Sequence, residues 1–97
     1  MNIVFHPRVF SEVDLIMRYY EEVAGSNLAD DFYEEFRNCV RLAANSPQLF
    51  SEKKRGFRRV NLNRFPYNFL FRIKTDTIRI LVVRHNARKP SFGTFRK

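Results

Sequence analysis

The residues of this chain best equipped for chemistry gather beyond residue 51. Arg58, Arg59, Arg72, Arg79, Arg84, His85 and Arg88 are threaded through runs of Phe, Ile, Leu and Val, and Glu52 stands just ahead of Lys53-Lys54-Arg55. Guanidinium and ammonium groups bind anions, while a histidine or a carboxylate can move a proton. The chemistry open to this set is anion recognition, with proton transfer added if Glu52 serves as a base and His85 as an acid beside Arg59 and Arg88. Simpler roles compete: a loop carboxylate among lysines is commonly just solvated, and a strand-end histidine can be purely structural.

Charge is distributed in the same lopsided way. The chain has 97 residues and a formal net charge of +8. Residues 1 to 51 carry four arginines against eight acids, a net −4, and residues 52 to 97 carry fourteen Lys or Arg against Glu52 and Asp76, a net +12. A basic half of that kind draws polyanions: nucleic acid, an anionic membrane or an acidic protein. Cys39 is the single cysteine, which excludes an internal disulfide and a Cys-rich zinc site and fits a reducing cytosol. No cofactor or metal is expected. The opening MNIVFHPRVF lacks the regions of a signal peptide, and no stretch reaches the roughly 18 apolar residues of a membrane span. A cytoplasmic chain with no membrane partner is the expectation.

The elements that must position these side chains can be read from periodicity. One domain over residues 1–97 is expected, since a chain of this length supports a single core. Asn2 to His6 reads as a short strand. Val9, Val13, Ile16, Met17, Tyr20 and Val23 recur at three- and four-residue steps and predict a helix opened by Pro7 and stopped by Gly25. Leu28, Phe32, Phe36, Cys39, Val40 and Ala43 predict a second helix ending near Asn45-Ser46-Pro47. So short a break predicts an antiparallel pair sharing one apolar seam. A loop follows from Pro47 to Gly56, then three strands near Arg58 to Asn63, Tyr67 to Lys74 and Thr77 to His85, the last two joined at Thr75-Asp76. Strand, two helices and three strands make an α+β domain with helices on one face of a mainly antiparallel sheet.

Alternation along the strands assigns faces. Val60 and Leu62, then Phe69, Phe71 and Ile73, then Ile78, Ile80 and Val82 are expected to face the helices. Arg59, Asn61, Arg72, Arg79 and His85 fall on the other side together with Leu70, Leu81 and Val83. A face that mixes cations with apolar residues suggests a docking surface.

The order of these elements, the motif Arg64-Phe65-Pro66-Tyr67 leading into Phe71-Arg72-Ile73, and the ending Val83-Arg84-His85-Asn86-Ala87-Arg88-Lys89-Pro90 resemble the RelE/ParE superfamily of bacterial toxins from toxin-antitoxin pairs. The resemblance spans essentially the whole chain. It implies a small basic toxin neutralised by a cognate acidic antitoxin, encoded beside it, whose partly disordered segment folds across the toxin. RelE-like members cleave mRNA in the ribosome, whereas ParE-like members poison DNA gyrase.

Metal-free RNA cleavage needs an activated 2′-hydroxyl, cations for the transition state and a proton for the leaving oxygen. Aligned on the Pro-Tyr motif and the last strand, RelE-like enzymes place basic residues at positions 59, 61, 68 and 86 and a tyrosine at 92. This chain has Arg59, Asn61, Asn68, Asn86 and Phe92. The expectation is therefore a ParE-like gyrase inhibitor that acts by binding and is not an enzyme. Its target- or antitoxin-binding surface is expected to be Arg59, Arg72, Arg79, Leu81, Arg84, His85 and Arg88. The alternatives are a ribosome-dependent mRNA endoribonuclease using His85, Arg59, Arg88 and Glu52, and a non-toxic nucleic-acid-binding module.

Overall fold

A computed structural model describes every residue from Met1 to Lys97. Strand β1 (Asn2–Phe5) leads into helix α1 (Pro7–Ala24), helix α2 (Ser26–Asn45) and then strands β2 (Arg58–Asn61), β3 (Tyr67–Lys74) and β4 (Thr77–His85). The strands form one sheet in the order β1-β4-β3-β2. β1 runs parallel to β4, and the other two pairings are antiparallel. The α+β architecture with one helical layer is as expected.

His6 caps α1 by accepting the Arg8 N–H at Nδ1, 3.1 Å away, and Pro7 takes the first helical position, where a missing N–H costs nothing. Gly25 separates the helices at φ 89°, a left-handed value that only glycine adopts freely. Val9, Val13, Ile16 and Tyr20 from α1 and Phe32, Phe36, Val40 and Ala43 from α2 form the seam against the sheet. Val23, expected on that face, is exposed instead, because it lies at the tip of the hairpin past the last core residue, Tyr20. The segment from Pro47 to Gly56 is more ordered than a plain loop. It forms two single 3₁₀ turns, Pro47–Leu49 and Lys54–Gly56, and Glu52 bridges to Arg58. No helix is long and apolar enough to cross a membrane.

The face assignment fails at one place in β4, and the failure has a single cause. Leu70 pairs with Val82 but Phe71 pairs with Ile80, so Leu81 is an inserted residue, a β-bulge. Past the bulge the parity reverses. Val83, not Val82, joins the helix-side core, while Leu81 and Val82 both turn to the opposite face with Leu70 and Phe57. His85 is carried with Val83 to the helix side, where its ring meets that of Tyr67 at 5.2 Å, and Arg84 takes the open face.

The open face is also not open throughout. The segment after β4 folds back over it and covers the small apolar cluster of Phe57, Leu70, Leu81 and Val82 with Phe92. Leu81 is consequently 1% exposed.

Candidate functional site

The face opposite the helices displays Arg59 from β2, Asn68 and Arg72 from β3 and Arg79 and Arg84 from β4. Strand register brings Arg72 directly opposite Arg79, and Asn68 directly opposite Arg84. None of Arg59, Arg72, Arg79, Arg84 and Arg88 is in an ion pair; the ion pairs of the chain are Arg18–Asp14, Arg64–Asp31 and Arg96–Glu12. The arginines of this face are therefore held by packing and neutral acceptors, and their charge is left uncompensated.

Arg84 differs from the rest in being buried, 6% exposed. Its Nη1 donates to the carbonyls of Pro90 and Phe92, both at 2.8 Å, and its Nε donates to Asn68 Oδ1 at 3.1 Å. The Asn68 amide in turn donates to Asn86 Oδ1 at 2.9 Å. Burial, then the charge of Arg59, pulls the Arg84 pKa below its usual value. Arg84 and Leu81 lie beneath the returning tail, and what they visibly do is hold it.

The tail is fastened at further points. Arg96 donates from Nη1 to Leu81 O at 3.2 Å and pairs with Glu12 Oε2 at 2.8 Å, and Arg55 donates to Thr94 O at 3.2 Å. Gly93, at φ 81°, passes over Val82 so closely that a Cβ there would lie 2.6 Å from Val82 Cβ. Glu12, Gly93 and Arg96 carry no role in the sequence-based reading. The spacing in Ser91-Phe92-Gly93-Thr94-Phe95 of aromatics around a glycine was the available signal for a packed segment.

Between the tail and β2 lies a cleft of about 510 Å³, walled by Lys53, Lys54, Arg55 and Arg59 over a floor that includes Phe57 and Leu70. Arg59 is steadied by its own strand, Nε donating to Asn61 Oδ1 at 2.8 Å. A second groove, about 340 Å³, runs on the helix side between α1 and the end of β4, lined by Leu15, Tyr19, Tyr67, His85, Arg88 and Phe92. Arg88 lies over the Phe92 ring at 4.6 Å.

The two groups suited to proton transfer are not brought together. Glu52 is exposed and bridges to Arg58, which pairs with Phe71, whereas His85 pairs with Tyr67 at the other end of β3. His85 Nδ1 accepts the Ala87 N–H at 2.9 Å, so the neutral ring carries its hydrogen on Nε2. Arg59 and Arg88 stand at different grooves. Of the three asparagines at positions a metal-free nuclease would fill with cations, Asn68 and Asn86 bond each other and Asn61 holds Arg59. No cluster of three or more His, Cys, Asp or Glu side chains is arranged to hold a metal ion.

Comparison with known proteins places this geometry. A family model described as "ParE toxin of type II toxin-antitoxin system, parDE" matches residues 3–90. A solved structure, "Chromosomal ParDE TA system from P. aeruginosa", superposes with a TM-score of 0.78 at 20% sequence identity, covering 88% of this chain and 95% of that one. No curated protein sequence matches. The resemblance to the RelE/ParE superfamily and the α+β fold it implied are thus borne out, and the tail residues 91 to 97 lie beyond the family match.

Proposed function

Because the chain belongs to the ParE toxin family of type II toxin-antitoxin systems, we propose that it acts in the cytoplasm as a gyrase inhibitor, by occupying its target and without cleaving a bond, and that a cognate acidic antitoxin neutralises it. The observation that carries binding over cleavage is the Asn86–Asn68–Arg84 chain of hydrogen bonds. Where transition-state charge would demand free cations, this protein spends two amides and a buried guanidinium on its own tail. Phe92 has no proton to give a leaving oxygen.

The surface left for partners is the accessible part of the basic side: the half-buried Arg59, Arg72 and Arg79 on the sheet, and the exposed His85 and Arg88 at the groove beside α1. Leu81 and Arg84 support that surface from below. Uncompensated cations next to apolar floor suit an acidic, amphipathic segment that folds as it binds.

The test is a pulse of expression in a host lacking the antitoxin, with DNA breaks and mRNA 5′ ends measured in the same culture. Double-strand breaks with intact transcripts are the expected result. New ribosome-dependent 5′ ends with intact chromosomes would replace gyrase by the ribosome and make His85 the first residue to substitute. Normal growth with neither signal would remove the toxin reading for this chain.

A further inference from the structure

Arg72 and Arg79 occupy directly opposed positions on β3 and β4 and project from the same face. Like charges directly opposite one another across two strands repel. Neither arginine has an acidic partner anywhere in the chain. The Nε of each is shut away from solvent with no acceptor. Burial of the Nε leaves the Nη groups as the part of each guanidinium that an anion from outside can reach, and nothing in the chain neutralises either charge.

Geometry narrows what that anion is. The Arg72 guanidinium lies over the Phe57 ring, its Cζ 4.1 Å from the centroid, a contact that holds the head group in place on this face. A guanidinium presents a two-pronged fork that matches an oxyanion. The surrounding field has the right sign: His6 is held below its ordinary pKa first by burial and then by Arg96, Arg79 and Arg8.

Carboxylate and phosphate share this chemistry, and the aromatic rings decide between a polypeptide and a single-stranded nucleic acid. Binding a single strand calls for bare rings on which successive bases stack. Here Phe57 is covered by Arg55 and Arg72, and Phe92 by Arg88 and Arg96. The other exposed rings, Phe10, Tyr19 and Tyr33, sit on the helices, which leaves Phe95 as the exposed ring of the tail, and Arg55 lies over it at 4.3 Å. One platform does not make a stacking track.

We propose that Arg72 and Arg79 form a paired clamp for a carboxylate presented by an acidic polypeptide. The clamp rests on the antitoxin reading only for who carries the carboxylate; gyrase plays no part in it. The acidic side chain would accept hydrogen bonds from both guanidinium groups, and its charge would remove the repulsion between them.

The purified full chain is titrated at low salt with oligoglutamate, inorganic phosphate and oligouridylate, and compared with Arg72→Gln, Arg79→Gln, Arg72→Lys and Lys74→Gln. Oligoglutamate affinity is expected to fall roughly tenfold in either Arg→Gln variant, and by a similar factor in Arg72→Lys, which keeps the charge but loses the fork. Lys74→Gln, one charge removed from the same strand, should change it by less than about threefold. The free Arg79→Gln chain should melt no lower than wild type, because a repulsion has been relieved, whereas Arg72→Gln also uncovers Phe57 and should melt slightly lower; binding is read well below both melting temperatures, so lost binding cannot be put down to unfolding.

Equal losses in Lys74→Gln and the Arg variants would reduce the clamp to a diffuse field and overturn it. So would unchanged binding in the Arg variants, or phosphate or oligouridylate binding more tightly than oligoglutamate through the same pair. A clamp that passes while expression produces no DNA breaks leaves this inference standing and removes gyrase; breaks with oligoglutamate binding indifferent to the pair remove the clamp alone.

Discussion

Glu12 of α1 and Arg96 of the tail meet at 2.8 Å, and each also holds one backbone group at the β4 bulge. Glu12 Oε1 accepts the Val83 N–H at 3.0 Å, and Arg96 Nη1 donates to Leu81 O at 3.2 Å. β1 stops at Phe5 opposite Ile80, so no strand serves this edge of β4 beyond that level. The ion pair stands in for the missing strand and ties tail, sheet and helix together.

Glu12→Ala removes an acceptor from a backbone N–H and a partner from a charge that is only 13% exposed. A loss of about 2–4 kcal/mol is expected by denaturant unfolding. Glu12→Gln keeps an acceptor for Val83 and should cost less. A double-mutant cycle with Arg96→Met should give a coupling of about 1–3 kcal/mol; additive losses would mean that the two residues do not act as a unit.

Gly93→Ala meets two obstacles at once. The new Cβ would come within 2.6 Å of Val82 Cβ and 2.6 Å of its Cγ2, and the residue would have to keep φ 81°. Val82 is fully buried and has nowhere to go. The expected cost is about 1–3 kcal/mol, with the tail lifting rather than the sheet unfolding. Limited proteolysis should then cut after residue 88 much faster than in wild type, and unchanged protection would show that the close approach is not required.

How much of this was legible beforehand depends on the range of the cause. The helical hairpin is local: spacing of Val9 to Tyr20 and Phe32 to Ala43, with Gly25 between, is enough to place it. The sheet face of β3 is equally local. β4 is not, because alternation cannot register one inserted residue, and Leu81 shifts Val82, Val83, Arg84 and His85 by one position. The polar network at Asn68 and Arg84 is further removed still. Its partners are carbonyls of Pro90 and Phe92, whose position depends on the tail turning back, and no strand or helix period records that turn. Arg59, Arg72 and Arg79 were assigned to the right face because all three precede the bulge.

His6 supplies a pH dependence whose sign can be stated. Burial, then Arg96, Arg79 and Arg8, lowers its pKa from 6.5, and its Nδ1 is already the acceptor for Arg8 N–H. In the window below 6.5 and above the lowered folded value, the unfolded chain binds more protons than the folded one. Stability therefore rises with pH through that window, is fully present above it, and is lost as pH falls. Between about pH 7.5 and about pH 5 the wild-type chain should lose more stability than His6→Asn, which keeps a capping oxygen and does not titrate. Parallel curves would take His6 out of the account.

Thr75 sits at φ 58° in the β3–β4 turn, a left-handed conformation unfavourable for a β-branched residue. Thr75→Gly should raise stability by about 0.5–1 kcal/mol without altering the sheet, since positive φ at the first residue alone of a two-residue hairpin loop is the type II′ pattern that favours glycine there, and the site is exposed. A melting temperature unchanged or lowered would mean that the Thr75 side chain contributes something its backbone strain conceals.

Arg84 would score as an active-surface residue in any screen that reads toxicity alone, and the structure assigns such a loss to folding. Its guanidinium is the single donor to Pro90 O and Phe92 O and fixes Asn68 besides. Arg84→Met should cost about 2–4 kcal/mol and free the tail. Arg84→Lys should do nearly as badly, because an ammonium group cannot reach two tail carbonyls and Asn68 from one position. Arg79→Gln, in a half-buried side chain with no hydrogen-bond partner at Nε, should leave stability at or above wild type. Measured side by side, toxicity lost together with the melting temperature marks Arg84 as the tail's anchor, whereas toxicity lost at an undiminished melting temperature in Arg84→Lys would put its guanidinium in direct contact with the target.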